Sequence, residues 1–293
     1  MTDTVDTQPA PSPVDALLES SLKDIGIPPR PAILQRISDE MLKEEPDFRR
    51  LANIIGADVS LAAGLIKTAN SPFFGSRNRV RSVNEALVML GLDVASRAVA
   101  GLILRKVFPA SLHLERFWDA SARIARLSGW LAKRVCHNKL RQDDAYTFGL
   151  FRDCGIPVLL MRFPGYNKVL AAANAEQQQS FTAIEDVQLP TNHAMVGCLL
   201  AQSWWLPEET CLAIRHHHDA AILATPPISP PLTSRYRIAV AQLAEHLVQR
   251  HSGLSQTNEW PKLGAACLRL LEVDAAQLDE IVAESVAILE AEE

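Results

Sequence analysis

The stretch Thr147-Phe-Gly-Leu-Phe-Arg-Asp-Cys-Gly-Ile-Pro-Val-Leu-Leu160 carries one charged doublet, Arg152-Asp153, inside an otherwise apolar run. Charges of that kind are not buried without partners, so the doublet must face something specific in the fold. The run reads as a buried helix closed by Gly155 and Pro157. A distant stretch, Ala213-Ile-Arg-His-His-His-Asp219, sets three consecutive histidines near the end of a short helix. Adjacent residues on a helix point about 100° apart, so at most two of the three rings can meet at one point. Imidazolium at a helix C-terminus also has a purely structural use, through the helix dipole.

Outward from these stretches the chain reads as helix throughout, with no strand-like alternation. Leu17, Leu18, Leu22 and Ile25 mark a first helix ended by Gly26, after a polar tail over residues 1–13 expected to be disordered. Pro28, Pro29 and Pro31 make an extended connector. Asp47 is placed to cap a helix from Phe48, and a further helix runs from Ser60 to Asn70. Pro72, Gly75 and Asn78 define a loop carrying Phe73, Phe74, Arg77, Arg79 and Arg81. Ser82-x-x-Glu85 is a capping box, and a long apolar helix follows from Leu92 to Phe108. The second half offers helices over 117–136, 166–175 and 274–289, and a long amphipathic one over 235–250. Within it, Thr182-x-x-Glu185 looks like another capping box, Thr191 like the cap of a helix with His193, Val196, Gly197 and Leu200 inward, and Pro207-Glu-Glu209 like a helix start. The Pro-rich segment from Ile222 to Ser234 reads as a loop.

Composition narrows the class. The 293 residues are 48% hydrophobic, and 29 basic against 34 acidic residues give a net charge of -5, so no general electrostatic case exists for nucleic acid or membrane. The N-terminus has no basic start or apolar core of a signal peptide, and no apolar run nears the roughly 20 residues of a membrane span. Five scattered cysteines, never spaced Cys-x-x-Cys, fit buried thiols in a reducing cytoplasm. Neither a phosphate-binding glycine loop nor a nucleophile elbow is visible.

The order of the pieces resembles the HDOD domain family, a relative of the HD phosphohydrolase superfamily, over roughly residues 22–250. The resemblance rests on Leu51-Ala-Asn-Ile-Ile-Gly-Ala-Asp58, Ala69-Asn-Ser-Pro-Phe-Phe-Gly75, Ala86-Leu-Val-Met-Leu-Gly91, the doublet and the histidine run. It implies an all-α fold in which an N-terminal helical bundle (14–111) packs on a C-terminal HD-like helical bundle (112–293). It also implies a metal-ligand set of which much is missing here. The first His falls at Ala120, which has no donor atom, and the doublet's His is Arg152, which stays protonated and offers no lone pair. Asp153 is kept, His193 sits where the family often has a His, His217 or His218 matches the histidine of the next helix end, and Glu245 replaces the closing Asp. A divalent ion about 5 Å from a fixed guanidinium would meet repulsion of several kcal/mol even at an effective dielectric of about 20. Arg152 is thus read as a built-in replacement for a lost cation, set against an ordinary surface arginine.

The expectation is a non-catalytic bacterial signalling or regulatory module, with no catalytic residue, no metal and no cofactor. It would act through a protein partner or a small-molecule effector at the relict cluster of Arg152, Asp153, His193, His217, His218 and Glu245, away from membranes. Two alternatives stand beside it: a metal-dependent phosphohydrolase with an altered ligand set, and a nucleotide or nucleic-acid module using the cleft or the loop of Phe73, Phe74, Arg77, Arg79 and Arg81. Nucleic acid is not the expected partner, since such aromatics more often anchor a loop.

Overall fold

A computed structural model describes residues 25–71, 74, 79–224 and 230–290. The expected tail, most of the first helix, Phe73 and Arg77 lie outside these residues. The described residues contain helices and no strand.

The N-terminal lobe is built from α1 (Ala32–Met41), α2 (Phe48–Gly56), α3 (Val59–Ala69), α4 (Val83–Leu90) and α5 (Leu92–Val107). Short polar side chains start these helices where the sequence puts them. Asp47 accepts from the backbone N–H groups of Arg49 and Arg50, Asp58 from those of Ser60 and Leu61, and Ser82 from that of Glu85. Gly91, at φ +76°, ends α4 and opens α5 in one residue, a conformation costly for any side chain. The loop between α3 and α4 is clamped by Asn70. Its amide donates to the carbonyls of Ile66 and Val80, and its oxygen accepts from the N–H of Val80. Phe74 is half-buried rather than fully buried and meets Tyr146 edge-on, ring centroids 5.5 Å apart.

The C-terminal lobe continues with α6 (Glu115–Val135), α7 (Gln142–Phe151), α8 (Gly155–Arg162), α9 (Tyr166–Ala175), α10 (Phe181–Gln188) and α11 (His193–Ser203). It closes with α12 (Glu208–His216), the short α13 (Ala220–Ala224), α14 (Leu232–Ser252), α15 (Glu259–Leu271) and α16 (Ala275–Glu290). Several expectations are corrected. The stretch 147–160 is two helices, broken at the doublet. Gly155 and Pro157 open α8 instead of closing α7, since a first-turn proline loses no helical hydrogen bond. Asn192, not Thr191, caps α11, and Ser180, not Thr182, caps α10. Ile222 to Ala224 and Leu232 to Ser234 are helical, not loop. The helix α15 goes unread in the sequence analysis.

The largest correction concerns α14, which reads as amphipathic. Every side chain from Ser234 to Glu245 is buried, so it is the central helix of the lobe. Three of its charged residues find partners across the fold: Arg235 donates to the carbonyl of Leu223, Arg237 pairs with Asp144, and Glu245 pairs with Arg152, whereas the Gln242 amide is buried without one. One apolar core runs through both lobes, from Ile54 and Leu104 to Phe148 and Leu243. A Cβ on Gly101 of α5 would lie 2.2 Å from the Leu150 side chain of α7, so the lobes meet closely there. Among the described residues no single helix is long and apolar enough to cross a membrane. The five cysteines are buried and unpaired, and burial pushes the thiols of Cys136, Cys211 and Cys267 up to about 12.

Candidate functional site

The break between α7 and α8 holds Arg152 and Asp153 at the junction of three further helices. His193 is the first residue of α11, His217 and His218 follow α12, and Glu245 projects from α14. A near-contact of two backbones sets their spacing. A Cβ on Gly155 would lie 2.0 Å from the His193 carbonyl oxygen and 2.7 Å from the Gly197 nitrogen. Only glycine lets α8 and α11 approach so closely, and that approach carries His193 beside Asp153.

The three rings are buried, at 0%, 1% and 7% exposure for His193, His217 and His218. Each is held by its Nδ1: His193 to Glu185 Oε2 at 2.7 Å, His217 to the Ile214 carbonyl at 2.6 Å, and His218 to Glu259 Oε2 at 2.5 Å. All three partners are acceptors, so each Nδ1 carries the proton. Glu185 is fully buried. It also accepts from the backbone N–H of His193 and from the Tyr166 hydroxyl. Phe181 stacks on His218 and meets His193 edge-on. The three Nε2 atoms therefore turn inward. His193 Nε2 lies 3.3 Å from His217 Nε2 and 3.1 Å from His218 Nε2. Asp153 Oδ1 is 3.2 Å from His217 Nε2 and 3.7 Å from His193 Nε2.

The other side of Asp153 belongs to Arg152. Arg152 is 4% exposed, its guanidinium donating from Nε to Asp153 Oδ2 at 2.8 Å and from Nη2 to Glu245 Oε1 at 2.6 Å. An ordinary surface arginine is excluded. Burial works against ionising Asp153, but Arg152 and His217 outweigh it and hold the carboxyl well below its usual range. Burial likewise opposes charge on His193, yet Glu185 and Asp153 raise it above its ordinary value. Burial and the neighbouring rings push His218 well below. Glu245 is raised by burial, with Arg152 opposing.

Two hollows adjoin the cluster. One of about 350 Å³ is lined by Arg116, Ala120, Arg152, His193 and Gln249. The other, about 650 Å³, has Asn192, Arg215, His216 and Lys262 in its wall. His218 and Glu259 line both. Arg79 and Arg81 are exposed, and neither they nor Phe74 lines either hollow.

The structure thus brings together Arg152, Asp153, His193, His217, His218 and Glu245, and leaves His216 outside. The metal set implied by the HD resemblance is not present, because Ala120 and Arg152 supply no ligand atom. Its retained members nonetheless converge, one atom each from Asp153, His193, His217 and His218 lying within 4.8 Å of one another. Sequence reasoning missed Glu185, read as half of a capping box, and Glu259, on an unread helix. Leu263, Cys267 and Leu271, four residues apart on α15, are the signal that could have revealed that helix.

The HDOD domain family matches residues 27–220, and the chain belongs to that family. Over 197 residues it is 27% identical to an uncharacterized protein of Treponema pallidum, a match covering 66% of this chain and 38% of that one. The chain therefore spans well under half the length of that relative. A crystal structure of an HDOD domain protein of unknown function from Geobacter sulfurreducens has a TM-score of 0.60 at 22% identity, covering 94% of this chain and 97% of that one. A candidate phosphohydrolase from Shewanella amazonensis gives 0.67 at 20%, covering 93% and 96%. A candidate signal transduction protein from Marinobacter aquaeolei gives 0.62 at 24%, covering 92% of this chain and 60% of that one. These likenesses establish the HD-like helical fold.

Proposed function

We propose that this HDOD protein is a non-hydrolytic regulatory module of a bacterial cytoplasm, acting by engaging a protein partner. The observation that carries the reading is the buried trio of Arg152, Asp153 and Glu245. A permanently charged guanidinium fills the doublet's ligand position and occupies one oxygen of its only retained acid. Ala120 empties a second ligand position. Hydrolysis by a metal-bound hydroxide needs an open coordination position beside the substrate, and these substitutions remove ligands from the cleft side. The Marinobacter protein's description as a candidate signal transduction protein agrees with this reading, and buried free thiols agree with a reducing compartment.

The histidine cluster and its adjoining hollow favour a second reading, a phosphohydrolase with an altered ligand set. One experiment separates the two. Tag-free protein is assayed against phosphodiesters and phosphomonoesters in added manganese, iron and magnesium. No turnover above background is expected. Turnover that disappears in Asp153→Ala would establish the hydrolase and end the regulatory reading.

A further inference from the structure

We infer that the larger hollow, beside the histidine cluster, binds a small zwitterion of the amino-acid or short-peptide class. Arg215 holds its carboxylate and Asp219 its ammonium.

At about 650 Å³ the hollow falls within the roughly 300–1,000 Å³ of small-molecule sites. Its α15 wall, with Glu259, Pro261, Lys262 and Leu263, lies beyond the residues 27–220 matched by the HDOD family. Ala120, Arg152 and Asp153 line the smaller hollow and not this one.

The charges in the lining decide the class of ligand. They are Arg215 and Lys262 against Asp219 and Glu259, which cancel. His216 and His218 add no charge at neutral pH. Burial holds both below their ordinary value, helped by Arg215 beside the first and by two imidazoles beside the second. Lys262 and Glu259 are already engaged. Glu259 holds His218 Nδ1 on one oxygen and Lys262 on the other, and Lys262 also donates to the Gln179 carbonyl at 3.0 Å.

Arg215 and Asp219 are the uncommitted pair. Among the described residues neither has an ion-pair partner. The Arg215 guanidinium rests on the Met195 sulfur, and Asp219 Oδ1 accepts the backbone N–H of Ala221 at 3.0 Å. They stand four residues apart, yet α12 ends at His216, so they miss the geometry in which helical charges meet. A guanidinium fork and a carboxylate in one wall, not paired with each other, match a molecule that carries both opposite charges. A phosphate ester fits worse, since its two negative charges would find one uncommitted cation and would face Asp219. Around the charges the lining is hydrophilic and neutral, with the amides of Gln177 and Gln178 and the hydroxyl of Thr182. That suits a polar side chain or a peptide bond. The inference is independent of the regulatory reading: turnover would remove that reading and leave this one standing.

The full tag-free chain is screened by thermal shift against the common amino acids and their glycyl dipeptides. The strongest binder is then titrated by calorimetry. One site per chain is expected, and the tighter arm names the source, free amino acid or peptide. Two blocked forms of that binder follow, one N-acetylated and one with its carboxylate amidated. Each block should weaken binding about 10–100-fold, the loss expected of one charge-assisted hydrogen bond. Arg215→Gln and Asp219→Asn change exposed side chains and should keep the fold, which circular dichroism checks. Each should weaken the zwitterion by a similar factor. N-acetylation should then cost nothing further in Asp219→Asn, nor amidation in Arg215→Gln, a cancellation that a merely structural effect would not give. Failure of the folded wild type to bind any member of the panel overturns the proposal. So does a blocked form that binds as well as the zwitterion, wild-type affinity in either variant, or adenosine monophosphate binding more tightly than every zwitterion.

Discussion

Helix α7 has an arginine–carboxylate network at each end, and the two are built to opposite excess. At its start, Asp143 and Asp144 meet Arg97 from α5, Arg141 from the preceding turn and Arg237 from α14. Three cations serve two carboxylates that sit favourably at a helix N-terminus, and the network ties both lobes to the central helix. Just past its end, one arginine serves Asp153 and Glu245, with two further carboxylates behind the histidines. The first network has cations to spare, and Arg237 Nε and Nη1 are buried there without a hydrogen-bond partner. The second has carboxylates to spare and lone pairs facing inward. A buried ion network is thus no mark of a site; the sign of the unbalanced remainder separates the two ends.

That contrast can be broken by removing one cation from each end. Arg152→Met leaves Asp153 and Glu245 buried without their cation and should cost about 3–5 kcal/mol by denaturant unfolding. Adding Glu245→Gln should recover part of the loss. Arg237→Met should cost less, about 1–3 kcal/mol, because Arg97 still pairs with Asp144. Equal losses at the two ends would remove the distinction. The smallest effect belongs to the loop between α3 and α4. There Phe74→Ala gives up one half-buried ring contact, about 1 kcal/mol, while Arg79→Ala with Arg81→Ala leaves stability within error because both are exposed. Salt-dependent RNA or DNA binding lost in that pair would revive the nucleic-acid alternative.

Much of this fold is legible in the sequence because helix starts are local. Asp47 and Ser82 cap where the spacing puts them, and Asp274 and Gln277 exchange hydrogen bonds as a reciprocal pair. Motif order likewise points to the doublet and to two histidines of the run of three. What stays hidden is tertiary. Periodicity reports one buried face, so a helix buried all round, with its arginines and glutamates paired at a distance, reads as half exposed. Glu185 lies in a capping-box spacing while its side chain holds a ring eight residues on, and no local pattern separates those uses. The break at Arg152-Asp153 is equally silent, because a first-turn proline and a helix-ending proline look alike in a string.

The close passage of Gly155 over His193 and Gly197 also governs when the site exists. These residues lie on different helices, with two more between them, so secondary structure alone does not bring Asp153 to the rings. A compact chain with all its helices but without this one docking has no cluster. Anything that bound the four converging atoms would therefore bind the native state and not the unfolded ensemble, and would add to native stability in proportion to the logarithm of its concentration over its dissociation constant. Two absent side chains make assembly of the cluster and completion of the fold a single equilibrium.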